Sequence, residues 1–320
     1  MNQKELISVI TPVYDRRDEL EKCLRSLASQ TYDNFESIVI DDCSTMRIQD
    51  IIEQMQDPRF KYVRNERNGG PYNARTVGWK AAQGDYVVNL DSDWEAFPWL
   101  LERVAHYFKE TPEADAVTGM FLRDQDSTVF VRVRDGKKLV TPGNVALLPS
   151  IPDCIGGVRR SVVDEWLQKS HDYFALEAHS WLTFSLKHSQ LYVDEPWALY
   201  HTDSVNRVTP LLSGKSVRRT DDCLLFLDDY DEVLRAVRRP DIDRMLMTIT
   251  RSFLADRHWA GLKKCLFYMK LRKMNAAKAL FVMLLFGSVS KLRRAFLGRR
   301  QRPGEVVWID WVDSGRNSGG

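Results

Sequence analysis

The stretch YVVNLDSDWEAFPWLLERV, residues 86–104, decides the fold of this chain. Its apolar first part ends abruptly at Asp91-Ser92-Asp93, and a helical pattern follows Pro98. A short apolar run that stops at a turn is typical of a strand buried on both faces of a parallel sheet. Carboxylates at the end of such a strand are costly unless a positive group lies against them. The sequence therefore predicts a positive group at this strand end.

Strand and helix patterns alternate along the first third of the chain. The strand patterns are LISVI (6–10), FESIVID (35–41), RFKYV (59–63) and DYVVNL (85–90). The clearest helical pattern, residues 16–30, places four apolar side chains on one face: Leu20, Cys23, Leu24 and Leu27. This alternation predicts an α/β fold, with a mostly parallel sheet flanked by helices.

Polar residues follow three of these strand patterns directly. They are Thr11–Asp15, Asp41–Ser44 and Asp91–Asp93. In a parallel α/β sheet, ligands bind beyond the carboxyl ends of the strands. We therefore expect these three segments to meet at one ligand site.

The composition is that of a globular protein, with 44% hydrophobic and 28% charged residues in 320. The cysteines are widely scattered, without metal-site or redox spacing: Cys23, Cys43, Cys154, Cys223 and Cys265. We expect reduced thiols in a cytosolic compartment. The N-terminal apolar segment is too short for a signal peptide, and the late run ALFVMLLF (279–286) falls below the roughly 20 residues of a spanning helix.

The net charge of +2 conceals a strong asymmetry. Residues 251–302 carry fourteen Lys and Arg against one acid, Asp256, which gives this segment +13 and leaves −11 for the rest of the chain. A basic segment that interleaves aromatic residues, Leu and Met with Lys and Arg is typical of a helix lying on an anionic membrane surface. Nucleic-acid binding is the other interpretation of such a run, but no nucleic-acid motif accompanies it, and we expect none. A third interpretation is that these helices pack on the main domain and turn a solvated basic face outward.

The two carboxylates of the D-x-D turn, Asp91 and Asp93, supply hard oxygen ligands that suit Mg²⁺ or Mn²⁺. A cation held by so few protein ligands keeps open positions, which a diphosphate can fill. A lone D-x-D is common, so a solvated turn or a helix cap remains the alternative on this motif alone.

Further motifs precede the D-x-D in a fixed order. They are Pro12-x-Tyr14, the link SQTYDNFE, Asp41-Asp42-x-Ser44 and Ala74-Arg75-x-x-Gly78, and the D-x-D then follows a Gly-Asp-Tyr strand. Taken together, they resemble the nucleotide-binding half of bacterial family-2 glycosyltransferases with the GT-A fold. The resemblance runs from about residue 8 to residue 93 and continues more weakly to Arg207.

The resemblance implies a Rossmann-like GT-A domain over residues 1–210 with a C-terminal helical extension. Within it, residues 1–93 would bind the nucleotide and residues 94–210 the acceptor. Residues 211–303 would form the basic amphipathic helices, and residues 304–320 a disordered tail.

The implied activity is a metal-dependent, inverting transfer of a sugar from a nucleotide-sugar, a UDP-sugar by preference, to a hydroxyl. The acceptor would be a saccharide or a lipid-linked saccharide of cell-surface polysaccharide synthesis. The protein would act in the cytoplasm, peripherally at the inner face of the membrane.

The resemblance also assigns roles by position. Tyr14 would pack against the nucleobase, with the backbone near Pro12 lining the same pocket and Asp41 accepting from the base. Arg75 would lie near the nucleotide and balance part of the carboxylate charge. Asp91, with Ser92, would contact the nucleotide-sugar or the metal, and Asp93 would be the main metal ligand. Taken singly, each residue has a structural alternative: Tyr14 as a core tyrosine, Asp41 as an N-cap and Arg75 as a surface cation.

The catalytic base is where the sequence departs from the family pattern. The family usually presents a Glu-Asp pair at the start of a helix, whereas this chain has Glu177 followed by Ala178. Glu177 is the predicted base, and His179 is the fallback because a neutral imidazole also accepts a proton. Glu177 as a helix N-terminal charge is the structural alternative.

His201, in a segment similar to the family's His-x-x-Ser, is predicted as an additional metal or phosphate contact, with a hydrogen-bonded structural histidine as the alternative.

Two rival functions stay open at this stage. Haloacid-dehalogenase-type phosphatases also place a D-x-D after an apolar strand, and Asp91 would then be a phosphoryl nucleophile. A non-catalytic glycosyltransferase-like subunit at the membrane is the other, since Ala178 replaces an acid.

Overall fold

The structure, a computed structural model, describes residues 4–123, 132–133, 136–142, 155–168, 184, 186–201, 217–236, 240–255, 257–274 and 308–309. The strands are β1 (Ile7–Val13), β2 (Phe35–Asp41), β3 (Phe60–Arg64), β4 (Tyr86–Asn89), β5 (Trp94–Ala96), β6 (Ala116–Arg123), β7 (Arg132–Val133), β8 (Lys137–Val140), β9 (Ile155–Arg159), β10 (Gln190–Tyr200) and β11 (Trp308–Ile309). The helices are α1 (Arg17–Ala28), α2 (Gln49–Met55), α3 (Pro71–Ala81), α4 (Leu100–Glu110), α5 (Arg160–Gln168), α6 (Val217–Asp229), α7 (Asp231–Ala236), α8 (Pro240–Ala255) and α9 (Trp259–Leu271).

The main sheet has the strand order β3-β2-β1-β4-β9-β6-β10-β5, and β8 also pairs with β10. Strands β1 to β4 are parallel to their neighbours in this half, and β10 is parallel to β6. Strand β9 runs antiparallel between β4 and β6, while β5 and β8 run antiparallel to β10. The predicted α/β fold is therefore confirmed, and its sheet is mixed, with four parallel and four antiparallel pairings among the strands that the structure describes.

Side chains of the central strands alternate between two hydrophobic cores, as a pleated strand requires. In β1, Val9 enters the core shared with α1, α2 and α4, and Ile10 enters the core on the opposite face. The helical face predicted for residues 16–30 is confirmed, because all four of its apolar residues are buried in α1. Burial on both faces explains why most residues of these strands are apolar.

Strand β9 was not indicated by the sequence, because its Gly156 and Gly157 lack the side chains that favour strands. The structure shows why glycine stands there. A Cβ on Gly156 would collide with the carbonyl oxygen of Val117, and one on Gly157 would lie 2.5 Å from a methyl group of Val104. Close packing of β9 against β6 and α4 thus requires glycine at both positions, and these two glycines are the reason that the sequence shows no strand pattern there.

The C-terminal helices share a hydrophobic core with the sheet domain. The rings of Trp79 in α3 and Trp166 in α5 are in tilted contact, with centroids 5.3 Å apart. Both belong to a core that includes Phe226, Phe253 and Tyr268 of α6, α8 and α9. Across the residues that the structure describes, every helix falls short of the length and apolar character needed to cross a bilayer. The predicted boundaries at residues 210 and 303 lie outside the described residues.

Candidate functional site

The D-x-D turn follows the carboxyl end of β4 and leads into β5. The Trp94 amide donates to the Asp91 carbonyl oxygen at 3.1 Å and closes the turn. Ser92 is 1% exposed, and the thiol of Cys23 in α1 lies beneath the turn, 3.8 Å from the Asp91 carbonyl oxygen. Burial, followed by the charges of Asp93 and Asp91, raises the pKa of the Cys23 thiol. This cysteine therefore stays protonated and serves to pack α1 against the turn.

Two arginines lie against the two carboxylates. Arg75 in α3 donates from Nη2 to Asp91 Oδ1 at 2.6 Å, and Arg16 donates from Nη1 to Asp93 Oδ2 at 3.0 Å. The Arg16 and Asp93 side chains are only 12% and 7% exposed, whereas Asp91 remains 38% exposed. The positive groups at the strand end are therefore guanidinium groups from α3 and from the residue that caps α1.

The loops after β1 and β2 are tied together beside this turn. Asp15, with a φ of +48°, accepts from the amide and hydroxyl of Thr45 at 2.6 and 2.9 Å, and its own amide donates to Ser44 Oγ at 3.0 Å. Pro12 is buried within β1, and Tyr14 remains 37% exposed at the edge of the loop. The ring of Tyr14 is thus available to a ligand while its backbone is fixed.

Asp41 lies deeper than the sequence suggested, at 0% exposure. It accepts from Arg64 Nη1 at 2.5 Å, from the Tyr62 hydroxyl at 2.6 Å and from the Ser44 amide at 2.7 Å. Burial first, and then the hydrogen bond to this carboxylate, raises the pKa of the Tyr62 phenol. Asp41 anchors the β2 loop, and a base must approach it past these donors.

Asp42 orders the start of α3, a role that the sequence analysis did not assign. Its carboxylate accepts from the amides of Gly69 and Gly70 at 2.9 and 2.7 Å and from Asn65 Nδ2 at 2.8 Å. Gly70 has a φ of +85°, a conformation in which other residues are strained. Through this turn, Asp42 sets the direction of α3 and with it the position of Arg75.

His201 follows β10 and lies beside the D-x-D turn. Its amide donates to the Asp93 carbonyl oxygen at 3.1 Å, because β5 and β10 pair with Tyr200 opposite Trp94. Its imidazole Nε2 lies 2.7 Å from Glu95 Oε1. The structure therefore brings His201 to the turn but pairs its ring with Glu95, a residue that the sequence analysis did not single out.

The donor chemistry of the turn fits a divalent cation, since Asp91 and Asp93 offer hard oxygens and Asp91 is partly open to solvent. Within the described part of the chain, no group of three or more His, Cys, Asp or Glu residues forms a ready metal cluster. A bound cation would therefore draw its remaining ligands from a diphosphate and water. The metal role of His201 stays a prediction.

The two candidate bases, Glu177 and His179, lie outside the described residues. Their roles stay predictions from the sequence.

Comparison with known proteins assigns a family to the part of the chain that contains the strand-end cluster, which consists of Arg16, Arg75, Asp91 and Asp93. The model of the family described as "Glycosyl transferase family 2" matches residues 8–167, half of the chain. The chain belongs to glycosyl transferase family 2. The match includes Asp41, Arg75 and the D-x-D turn, whereas His201 lies beyond it.

Relatives of this family-2 chain are named as bacterial glycosyltransferases. It is 40% identical over 129 residues to TuaG of Bacillus subtilis (strain 168), whose assigned role is that of a teichuronic acid biosynthesis glycosyltransferase. It is 36% identical over 109 residues to the Escherichia coli UDP-Glc:alpha-D-GlcNAc-diphosphoundecaprenol beta-1,3-glucosyltransferase WfaP. These alignments cover 40% and 33% of the chain, and 51% and 42% of the two relatives. The chain thus spans about half the length of the curated relatives it matches, or less.

The fold of this family-2 chain is also that of a solved structure. The crystal structure of S. aureus TarS 1–349 in complex with UDP-GlcNAc superimposes with a TM-score of 0.61 at 19% identity, covering 83% of this chain and 81% of that chain. The predicted GT-A fold is confirmed.

Proposed function

We propose that this protein is a metal-dependent, inverting glycosyltransferase that moves a sugar from a UDP-sugar to a hydroxyl of a saccharide or lipid-linked acceptor in surface polysaccharide synthesis. The observation that carries the proposal is the strand-end cluster, in which Arg16 and Arg75 lie against the D-x-D carboxylates of a family-2 chain. TuaG and WfaP, whose names record a teichuronic acid and a UDP-Glc-dependent activity on a lipid diphosphate, support the substrate classes.

Asp91 and Asp93 would hold Mn²⁺ or Mg²⁺ together with the donor diphosphate, with His201 as a further contact. When bound, the cation supplies Lewis-acid stabilisation to the leaving nucleoside diphosphate. Arg75 and Arg16 hold the two carboxylates in place through their hydrogen bonds. Both guanidinium groups lie within reach of the same carboxylates, so they also favour the negative charge that develops on the leaving group.

Glu177 would accept the proton of the acceptor hydroxyl as its oxygen attacks the anomeric carbon. The attack comes from the face opposite the leaving UDP, so the configuration inverts. His179 is the alternative acceptor of that proton.

The nucleobase would lie on Tyr14, beside Pro12 and above Asp41. Replacing Tyr14 by Ala should weaken UDP binding by about 1 to 3 kcal/mol, the value of one base–aromatic stacking contact. Tyr14→Phe keeps the ring and should bind UDP as the wild type does. Isothermal titration calorimetry of both variants tests this. Unfolding temperatures should stay unchanged, since Tyr14 is 37% exposed. Equal loss in both variants would contradict the stacking role.

The protein would act in the cytoplasm at the anionic inner face of the membrane, where lipid-linked acceptors are held. The basic segment of residues 251–302 supports this location through its charge of +13.

The phosphatase alternative loses its basis, because family 2 accounts for the motifs between residues 8 and 167. The non-catalytic subunit is tested together with the enzyme. We would measure thermal unfolding with a panel of UDP-sugars and GDP-mannose, each with Mn²⁺, Mg²⁺ or EDTA.

A ligand at a hundred times its Kd stabilises the protein by about 2.7 kcal/mol. We expect that shift with one UDP-sugar and a metal, and no shift with EDTA. UDP release with acceptor extracts then separates an enzyme from a binding subunit. A shift without turnover would favour the subunit, and no nucleotide shift under any metal would overturn the proposal.

A further inference from the structure

Helix α9 is held in one orientation by its buried face. A Cβ on Gly261 would collide with the Phe253 ring, so the helix lies directly on α8. The Tyr268 hydroxyl donates to Asp231 Oδ1 at 2.5 Å. Arg272, whose side chain is 1% exposed, donates to Asp243 Oδ1 at 2.5 Å and to the Leu234 carbonyl oxygen at 2.9 Å. Which side chains α9 turns outward is therefore fixed.

The outward face of α9 carries large apolar side chains. Trp259 is 65%, Phe267 48% and Leu271 38% exposed. They stand at positions i, i+8 and i+12, so they form one stripe along three turns of the helix. Exposed aromatic residues aligned in this way mark an interaction surface rather than scattered surface residues.

Lysines share this stripe. Lys263 and Lys270 are exposed between the apolar residues, and the helix sequence WAGLKKCLFYMKL contains no acid. Beside the stripe, the Arg235 guanidinium lies 5.0 Å from the centre of the Phe267 ring. Two acids near this face are paired with basic groups, Asp228 with Lys264 and Asp231 with Arg235. The outward face is thus apolar and positive together.

We propose that this outward face of α9, defined by Trp259, Lys263, Phe267, Lys270 and Leu271, is the surface that docks onto an anionic lipid bilayer. The aromatic side chains would enter the headgroup region and the lysines would pair with lipid phosphates. This inference rests on the proposed membrane location and deepens it. The membrane-contacting residues are thereby assigned to a helix that shares a core with the donor-binding domain.

Charge complementarity favours a lipid surface over a protein or a nucleic acid. Lysine is depleted at the centres of protein interfaces, where it would be desolvated. A lipid headgroup layer accepts both the ammonium groups and the aromatic rings at one depth. The sequence from residue 275 to residue 302 continues the same character, with seven basic residues and no acid: Lys278, Lys291, Arg293, Arg294, Arg299, Arg300 and Arg302.

The test is sedimentation of the full chain with phosphatidylglycerol vesicles, with phosphatidylcholine vesicles as the neutral comparison. We expect salt-sensitive binding to the anionic vesicles alone. The double variant Trp259→Ala/Phe267→Ala should bind about tenfold or more weakly, and Lys263→Gln about fivefold more weakly. Trp99→Ala is the matched control, because Trp99 is also an exposed tryptophan (40%) but precedes α4, far from α9 in the sequence.

Each outcome decides a different claim. Unchanged vesicle binding by the double variant would overturn the α9 surface but leave the membrane location, with residues 275–302 as its source. Wild-type protein that ignores anionic vesicles would overturn both, while UDP-sugar binding tests the transferase independently. The double variant can also keep its vesicle binding and lose another interaction. Lost self-association would assign the face to a second copy, and lost binding to a single-stranded oligonucleotide would assign it to a nucleic acid.

Discussion

Replacing Asp93 by Ala should remove two properties at once, the metal-dependent stabilisation by a UDP-sugar and about 3 kcal/mol or more of the free energy of unfolding. The second loss follows from the ion pair between Arg16 and Asp93, in which the Arg16 side chain is 12% and the Asp93 side chain 7% exposed. Removing one member of a buried pair leaves the other charge uncompensated, which costs roughly 3 to 5 kcal/mol. Urea unfolding measures the stability, and calorimetric titration of Mn²⁺ and a UDP-sugar measures the binding.

A double substitution separates the two losses. Arg16→Gln with Asp93→Asn places two neutral amides where the charges were, and these can still hydrogen-bond to each other. We expect this variant to recover most of the stability but none of the metal-dependent binding. Arg16→Gln alone leaves the carboxylate without its guanidinium, and it should retain Mn²⁺ binding.

The neighbouring arginine provides a control for arginine loss in general. Arg17 pairs with Asp50 at 2.7 Å, but these side chains are 34% and 27% exposed. Arg17→Ala should therefore cost little stability and should not alter metal binding. Metal-dependent donor binding that survives in Asp93→Ala would show that Asp93 serves only to hold Arg16.

The sequence was sufficient for the parts of this fold that repeat at short range. The apolar face of α1 recurs every three or four residues, and β2 contains the apolar run Ile38–Ile40, so local patterns predicted both. Parallel pairing then places the ends of β1, β2 and β4 at one edge, which is why Asp15, Asp41 and Asp91 were expected together.

The contacts that organise the site join residues far apart in sequence, and no local pattern encodes them. Arg16 and Asp93 are 77 residues apart, and His201 and Glu95 are 106 apart. Strand β5, which aligns the last two, has three residues and shows no alternation. The sequence predicted that positive charge would compensate the turn, and from the family resemblance it assigned part of this to Arg75, but it did not predict Arg16.

Glu177→Gln should lower kcat by about 10² to 10⁴-fold, the usual contribution of a general base. The amide keeps the size and polarity of the side chain but cannot take the acceptor proton. Donor binding should be unchanged, because the predicted donor contacts lie at the ends of β1, β2 and β4. The measurement is UDP release under saturating donor and metal, with calorimetry of UDP on the same variant.

His179→Gln is the matched variant, since it removes the other candidate base two residues away. If Glu177 is the base, His179→Gln should retain most of the rate, and the acid limb of the kcat profile should vanish only in Glu177→Gln. The reverse pattern would assign the proton to the imidazole, whose ordinary pKa is about 6.5. That limb would then lie closer to neutral pH than a carboxylate's does. A full rate in both single variants would place the base elsewhere, because a proton must leave the acceptor hydroxyl for its oxygen to bond to the sugar.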